Sequence, residues 1–305
     1  MKTMNKLLVA TDFSAPARHA VMRSAALAQQ LKAALHITHV VEASLTEHLK
    51  ALLKLSDQQT NERAQKHAEL ELNALMLAVE AEYHQTPSLS VHSGSLLPTL
   101  ADVVEQSAAD LVLLAAKGED FIRNWTIGST AERLIRMLHC PMLVVKQSTQ
   151  VRYQRVMIAI DFSDWSRSSI ELAQQIAPNA RYVLAHVFDI PEEGKLRLAG
   201  VSEFDIVNYR NDVMQQHHNK LNKIAKACGL SDSQWSPLVM KGDPSSRLLE
   251  AEEEHDIDLI VLGKHGKGWF KEMLLGSTTK HLLTDSNTDL LIAQRGQQNE
   301  SQDNY

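Results

Sequence analysis

The 305-residue chain is written twice. Lys6-Leu-Leu-Val-Ala-Thr-Asp12-Phe-Ser14 returns as Arg155-Val-Met-Ile-Ala-Ile-Asp161-Phe-Ser163, and Ala109-Asp-Leu-Val-Leu-Leu114 returns as Ile257-Asp-Leu-Ile-Val-Leu262. Gly94 pairs with Gly242, Gly118 with Gly266, and Gly128-Ser-Thr130 with Gly276-Ser-Thr278, all at an offset of 147–149 residues. A period this long marks a duplicated domain, because solenoid units repeat every ~20–50 residues. The polar stretch Gln147-Ser-Thr-Gln-Val-Arg152 is the natural linker. We therefore expect one domain over 1–147, a second over 153–296, and a polar tail over 297–305.

Within each copy, short continuous apolar runs alternate with longer segments of helical period. That alternation predicts parallel strands buried on both faces by helices. The first copy reads as strands near 6–12, 34–41, 88–93, 110–115 and 141–146, with helices at 15–32, within 44–82, at 96–108 and at 127–138. The second reads as strands near 155–161, 180–188, 235–241, 257–262 and 289–293, with helices at 166–176, 203–228, 244–254 and 275–285. The fold class is thus α/β, two tandem doubly wound, Rossmann-like sheets of five parallel strands each. Ser14 and Ser163 stand where N-caps are expected.

Composition narrows the function. Hydrophobic residues are 44% and charged residues 22% of the chain, which is ordinary for a globular protein. No stretch approaches the ~18–20 apolar residues of a membrane helix, and the N-terminus has too short an apolar run for a signal peptide, so a cytoplasmic location without membrane contact is expected. The net charge is −6, and residues 1–150 hold 14 basic and 15 acidic side chains against 17 and 22 in the remainder. Neither half has the basic footprint that displaces counterions from nucleic acid. Cys140 and Cys228 are far apart, so neither a disulfide framework nor a CxxC site is available. The adjacent His217 and His218 diverge on a helix and read as a solvated face rather than a metal site.

In doubly wound sheets, ligands bind beyond the carboxyl ends of the strands, where strand order reverses. In the second copy that place carries Gly263-Lys264-His265-Gly266, then nine residues, then Gly276-Ser277-Thr278 opening a helix. Glycines let a ligand approach the backbone, and the N–H groups and dipole of a helix start attract anions. Asp161, ending the first strand, offers an acceptor at the other side. The combination suits a nucleotide, without any Walker A sequence.

The spacing Gly-2x-Gly-9x-Gly-Ser, after Asp-Leu-Ile-Val-Leu and an Ile-Ala-Ile-Asp-Phe-Ser first strand, resembles the ATP-binding branch of the universal stress protein family, and the resemblance runs through both copies. It implies ATP or another adenine nucleotide, with Mg carried by the phosphates. Asp161 and Val187 would meet the adenosine part, Gly263, Lys264, His265 and Gly266 the ribose and inner phosphates, and Gly276, Ser277 and Thr278 the outer phosphates. A weaker second site would use Asp12, Val40, Gly118, Gly128, Ser129 and Thr130, because Ala115 replaces the first glycine there. The family implies a regulatory or protective binder with no catalytic residue. The alternatives are a weak ATP hydrolase or phosphotransferase using His265 or Ser277, and a nucleotide-independent interaction protein with vestigial or apolar-ligand cavities. Trp269 and Phe270 are expected to cover the sheet edge or the ligand.

The fifth strands, Pro141-Met-Leu-Val-Val145 and Asp289-Leu-Leu-Ile-Ala293, are apolar and expected at sheet edges, which invites pairing. Family members commonly pair through this strand. The resemblance therefore implies that the two copies dock on each other as an intramolecular pseudo-dimer, with a homodimer of chains also open.

Overall fold

The computed structural model describes residues 3–42, 56–116, 129–147, 152–190, 192–264 and 275–294. By contacts the chain divides into two units, one running to Val151 and including the segment from Asp289, the other spanning Arg152–Thr288.

The first unit begins with β1 (Lys6–Ala10), whose three central residues are fully buried. A turn at Thr11–Phe13 leads to α1 (Ala15–Leu31), β2 (Ala34–Glu42), α2 (Asp57–Tyr83), β3 (Ser88–Gly94), α3 (Leu96–Ser107), β4 (Leu111–Ala115), α4 (Ser129–Met137) and β5 (Met142–Val145). The strands are parallel in the order β3-β2-β1-β4-β5. Order reverses between β1 and β4, since β1 pairs with β2 on one side and β4 on the other. β10 (Asp289–Ala293) then lies antiparallel to β5, with Leu291 opposite Leu143. β5 is therefore not an open edge in this unit. It takes the other apolar fifth strand, as its composition leads one to expect.

The second unit runs β6 (Arg155–Ala159), α5 (Asp164–Ile176), β7 (Arg181–Phe188), α6 (Glu193–Leu198), α7 (Glu203–Ala227), β8 (Trp235–Lys241), α8 (Pro244–Glu254), β9 (Leu259–Gly263) and α9 (Ser277–Asp285). Its strands are parallel in the order β9-β6-β7-β8. The short helix α6 has no counterpart in the sequence reading. It is held by the Glu193 carboxylate, which accepts hydrogen bonds from Arg210 at 2.6 Å, Arg197 at 3.2 Å and Lys241. Lys241 and Arg210 keep that carboxyl below its ordinary range.

Two devices appear in both units at matching places. Asp110 accepts hydrogen bonds from the Asn5 and Lys6 amides, and Asp258 from those of Gln154 and Arg155, so each acid fastens the start of the first strand. Gly94 ends β3 and Gly242 directly follows β8, with φ of +151° and +140°. A Cβ at Gly94 would stand 2.8 Å from Thr99 Oγ1, and one at Gly242 2.9 Å from Arg247 Nε, so both turns into the next helix favour glycine. Among the described residues no helix is long and apolar enough to cross a membrane.

Candidate functional site

Parallel register places the candidate residues of the second unit side by side. Ala159 faces Ala185, which carries Asp161 to the level of Val187; Ile158 faces Val261, which carries the exit of β6 to the level of Gly263. The crevice between β6 and β9 is the point where strand order reverses. α9 joins it through Thr279, whose hydroxyl donates to the Gly263 carbonyl at 3.4 Å.

Gly276 is the N-cap of α9, with φ −59° and ψ 145°, and as a glycine it supplies no side-chain cap. That backbone suits any residue, and among the described residues a Cβ would meet nothing nearer than Thr279 Oγ1 at 3.8 Å. Packing among the described residues therefore does not demand glycine here. Among the described residues the helix start is uncrowded, with the exposed Ser277 and half-buried Thr278 beside it. Unpartnered N–H groups at such a start are donors for an anion. Lys264 is only 4% exposed, so its ammonium is not a free surface charge. His265 and Gly266, with Trp269 and Phe270 of the intervening loop, lie outside the described residues.

Asp161 performs a local task as well. Its Oδ1 accepts from the Ser163 amide at 2.9 Å, the Ser163 hydroxyl at 2.6 Å and the Ser166 hydroxyl at 3.0 Å. Ser163 occupies the N-cap position of α5, donates its hydroxyl to Asp161 and makes no side-chain cap bond. Asp12 repeats the arrangement with Ser14, at 3.0 Å to the amide and 2.6 Å to the hydroxyl, and there Ser14 Oγ also accepts from Ala17 N as a true cap.

The residue between acid and serine is a phenylalanine held at positive φ, +66° for Phe13 and +59° for Phe162. A non-glycine residue held there needs surrounding support. A histidine of the second strand supplies it. His39 Nδ1 hydrogen-bonds the Thr11 carbonyl at 2.8 Å with its ring 4.3 Å from Phe13, and His186 Nδ1 bonds the Ile160 carbonyl at 2.7 Å with its ring 4.4 Å from Phe162. These histidines were not singled out from sequence, although both precede the Val40 and Val187 positions. His217 corrects an expectation: it is no solvated face but packs its ring on His186, Phe188 and Phe162, at 4.4, 5.1 and 5.8 Å. Burial lowers the His39 pKa, opposed by its hydrogen bond to the Thr11 carbonyl.

In the first unit the same region is a cavity of about 130 Å³ at the ends of β1, β2 and β4. Asp12, Thr38, His39 and Val40 form one wall, while Leu96 and Leu100 of α3, with Leu114 and Ala115, supply apolar surface. Gly118 and Gly128 lie outside the described residues, and Ser129 and Thr130 begin α4.

Comparison with known proteins decides the family. The model of the universal stress protein family matches residues 3–146 and again 152–294. The chain belongs to the universal stress protein family. It is a tandem member, with one family domain in each half. The universal stress protein E homolog of Haemophilus influenzae is 22% identical over 95% of this chain and 97% of its own length. A single-domain universal stress protein of Methanocaldococcus jannaschii is 27% identical over 48% of this chain and 97% of its own. The crystal structure of a universal stress protein from Archaeoglobus fulgidus superposes with a TM-score of 0.70 at 18% identity, covering 97% of this chain and 100% of that one, and so shares the fold.

Proposed function

We propose that this tandem universal stress protein binds an adenine nucleotide in its second domain and acts as a regulator or protector in stress rather than as a strong catalyst. The start of α9 carries the reading. Among the described residues nothing crowds Gly276 at the helix N-terminus, and α9 reaches the exit of β9 through Thr279, where strand register sets Gly263 level with Ile160, the neighbour of Asp161. The donor set fits a nucleotide: main-chain N–H groups at Gly276, Ser277 and Thr278 for outer phosphates, Gly263 to Gly266 for the ribose and inner phosphates, and Asp161 with Val187 for the adenosine. A divalent ion such as Mg would be held through the phosphates. Because the second domain is also the more acidic half, anion binding there would depend on oriented N–H groups and the helix dipole rather than on net positive charge.

For the first domain the apolar cavity favours a second reading, a weaker site or one that takes an apolar ligand without phosphates. Mass spectrometry of small molecules released from the denatured, freshly purified chain separates the two. An adenine nucleotide supports the main reading. An apolar compound alone, or nothing from protein that also fails to take up added ATP, overturns it.

A further inference from the structure

Two charged side chains of the first unit are shut away from water and face each other. Arg23 on α1 is 3% exposed, Asp289 at the head of β10 is 0% exposed, and Arg23 Nε lies 3.5 Å from Asp289 Oδ2. The other carboxylate oxygen accepts hydrogen bonds from the amides of Lys146 at 2.8 Å and Gln147 at 2.9 Å, the residues that follow β5. A buried charge without its partner is heavily penalised, so such a pair constrains which surfaces can meet.

The repeat shows how asymmetric this pair is. In Pro141-Met-Leu-Val-Val145 and Asp289-Leu-Leu-Ile-Ala293, proline stands in the first copy where the acid stands in the second. Superposing the shared Leu-Ala-Gln-Gln stretches, 27–30 and 172–175, puts Ser168 in the second copy where Arg23 stands in the first. The acid thus exists only beside β10 and the base only beside β5. Asp289 apart, the strands discriminate little, because β5 and the Leu290–Ala293 stretch of β10 are both apolar and buried throughout.

We propose that Arg23 and Asp289 form a pairing code that makes β5 accept this chain's own last strand and refuse the β5 of a second chain. A β5–β5 contact would leave Arg23 buried facing proline, with the Lys146 and Gln147 amides deprived of their carboxylate. A β10–β10 contact would bury Asp289 without an arginine. Only the mixed pair satisfies both charges, as a single buried polar group sets register and partner in other assemblies.

Leu143 serves as the reporter. It lies opposite Leu291 in the mixed pair, so in a symmetric β5–β5 contact residue 143 would face its own copy. Full-length chains carrying Leu143→Cys with Cys140→Ser and Cys228→Ser are oxidised with glutathione disulfide, and interchain disulfide dimer is measured. Arg23→Met relieves the β5–β5 contact and penalises the mixed one, so it raises the covalent dimer by about tenfold or more. Asp289→Asn leaves Arg23 buried in either arrangement and raises it little. The double variant, which carries no charge at either position and guards against failure of the single variants to fold, raises it to an intermediate level. Dimer in Arg23→Met and in the double variant that stays at the reporter-only level, or an equal response to Arg23→Met and Asp289→Asn, would overturn the proposal.

Discussion

Replacing Gly276 by aspartate should separate folding from ligand binding, because the two respond with opposite sign. The backbone at Gly276 has φ −59° and the added Cβ has 3.8 Å to its nearest neighbour among the described residues, so the substitution introduces no backbone strain and no clash with them. Aspartate is also a better N-cap than glycine and interacts favourably with the helix dipole, which together stabilise α9 by about 0.5–1 kcal/mol. A nucleotide phosphate at the same helix start would lie about 5 Å from the new carboxylate. At an effective dielectric of roughly 20, their repulsion is about 3 kcal/mol per unit charge, a loss of affinity of about a hundredfold. The assay is titration calorimetry with ATP and magnesium, paired with a urea denaturation curve on the same preparation. Unchanged affinity in the variant would refute the placement of phosphate at α9. A large drop in the urea midpoint would refute the reading of Gly276 as free of packing demands.

Other expectations follow from the same geometry. Gly94→Ala forces a side chain onto positive φ and against the Thr99 hydroxyl, and should cost about 1–3 kcal/mol by denaturant midpoint; Gly242→Ala should cost less, because the flexible Arg247 side chain can move aside. Burial depresses the His39 pKa, and burial together with Lys6 and His92 depresses that of His36, so the folded state binds fewer protons than the unfolded chain. Their contribution to stability is then fully present above the ordinary histidine value of 6.5 and is lost as pH falls below it toward the depressed folded values. Thermal melts between pH 7.5 and 5 should show a decline that shrinks when both residues are replaced by glutamine; an unchanged pH slope in that variant contradicts the assignment. Asp110→Ala frees the amides of Asn5 and Lys6 and should lower stability by about 1–2 kcal/mol, with hydrogen exchange quickened at the start of β1.

The parts of the fold legible in sequence were those that depend on burial alone. Continuous apolar runs such as Leu259–Leu262 announce a strand covered on both faces, and the repeat assigns each one a counterpart. What stayed hidden depends on one side chain meeting another across long separations. Nothing local to Glu193 shows that Arg210 and Lys241 will converge on it and hold α6. His217 looks like one of two surface histidines until the chain brings Phe162 and Phe188 to its ring. The acid at positions 110 and 258 was visible as part of the repeat, and its place immediately before an apolar strand was the available signal for its clamp. For the site, glycine spacing indicated the helix start, but the engagement of Asp12 and Asp161 by neighbouring serines, and the histidine that braces each turn, required the geometry.

Calorimetric titration of ATP with magnesium into the intact wild-type chain, first cleared of any co-purified nucleotide, tests the central claim most directly. Saturable binding, with a stoichiometry of at least one nucleotide per chain that persists when Ala115 of the first domain is replaced by a bulkier residue, is the result the account predicts. The absence of saturable binding in a folded protein would contradict it.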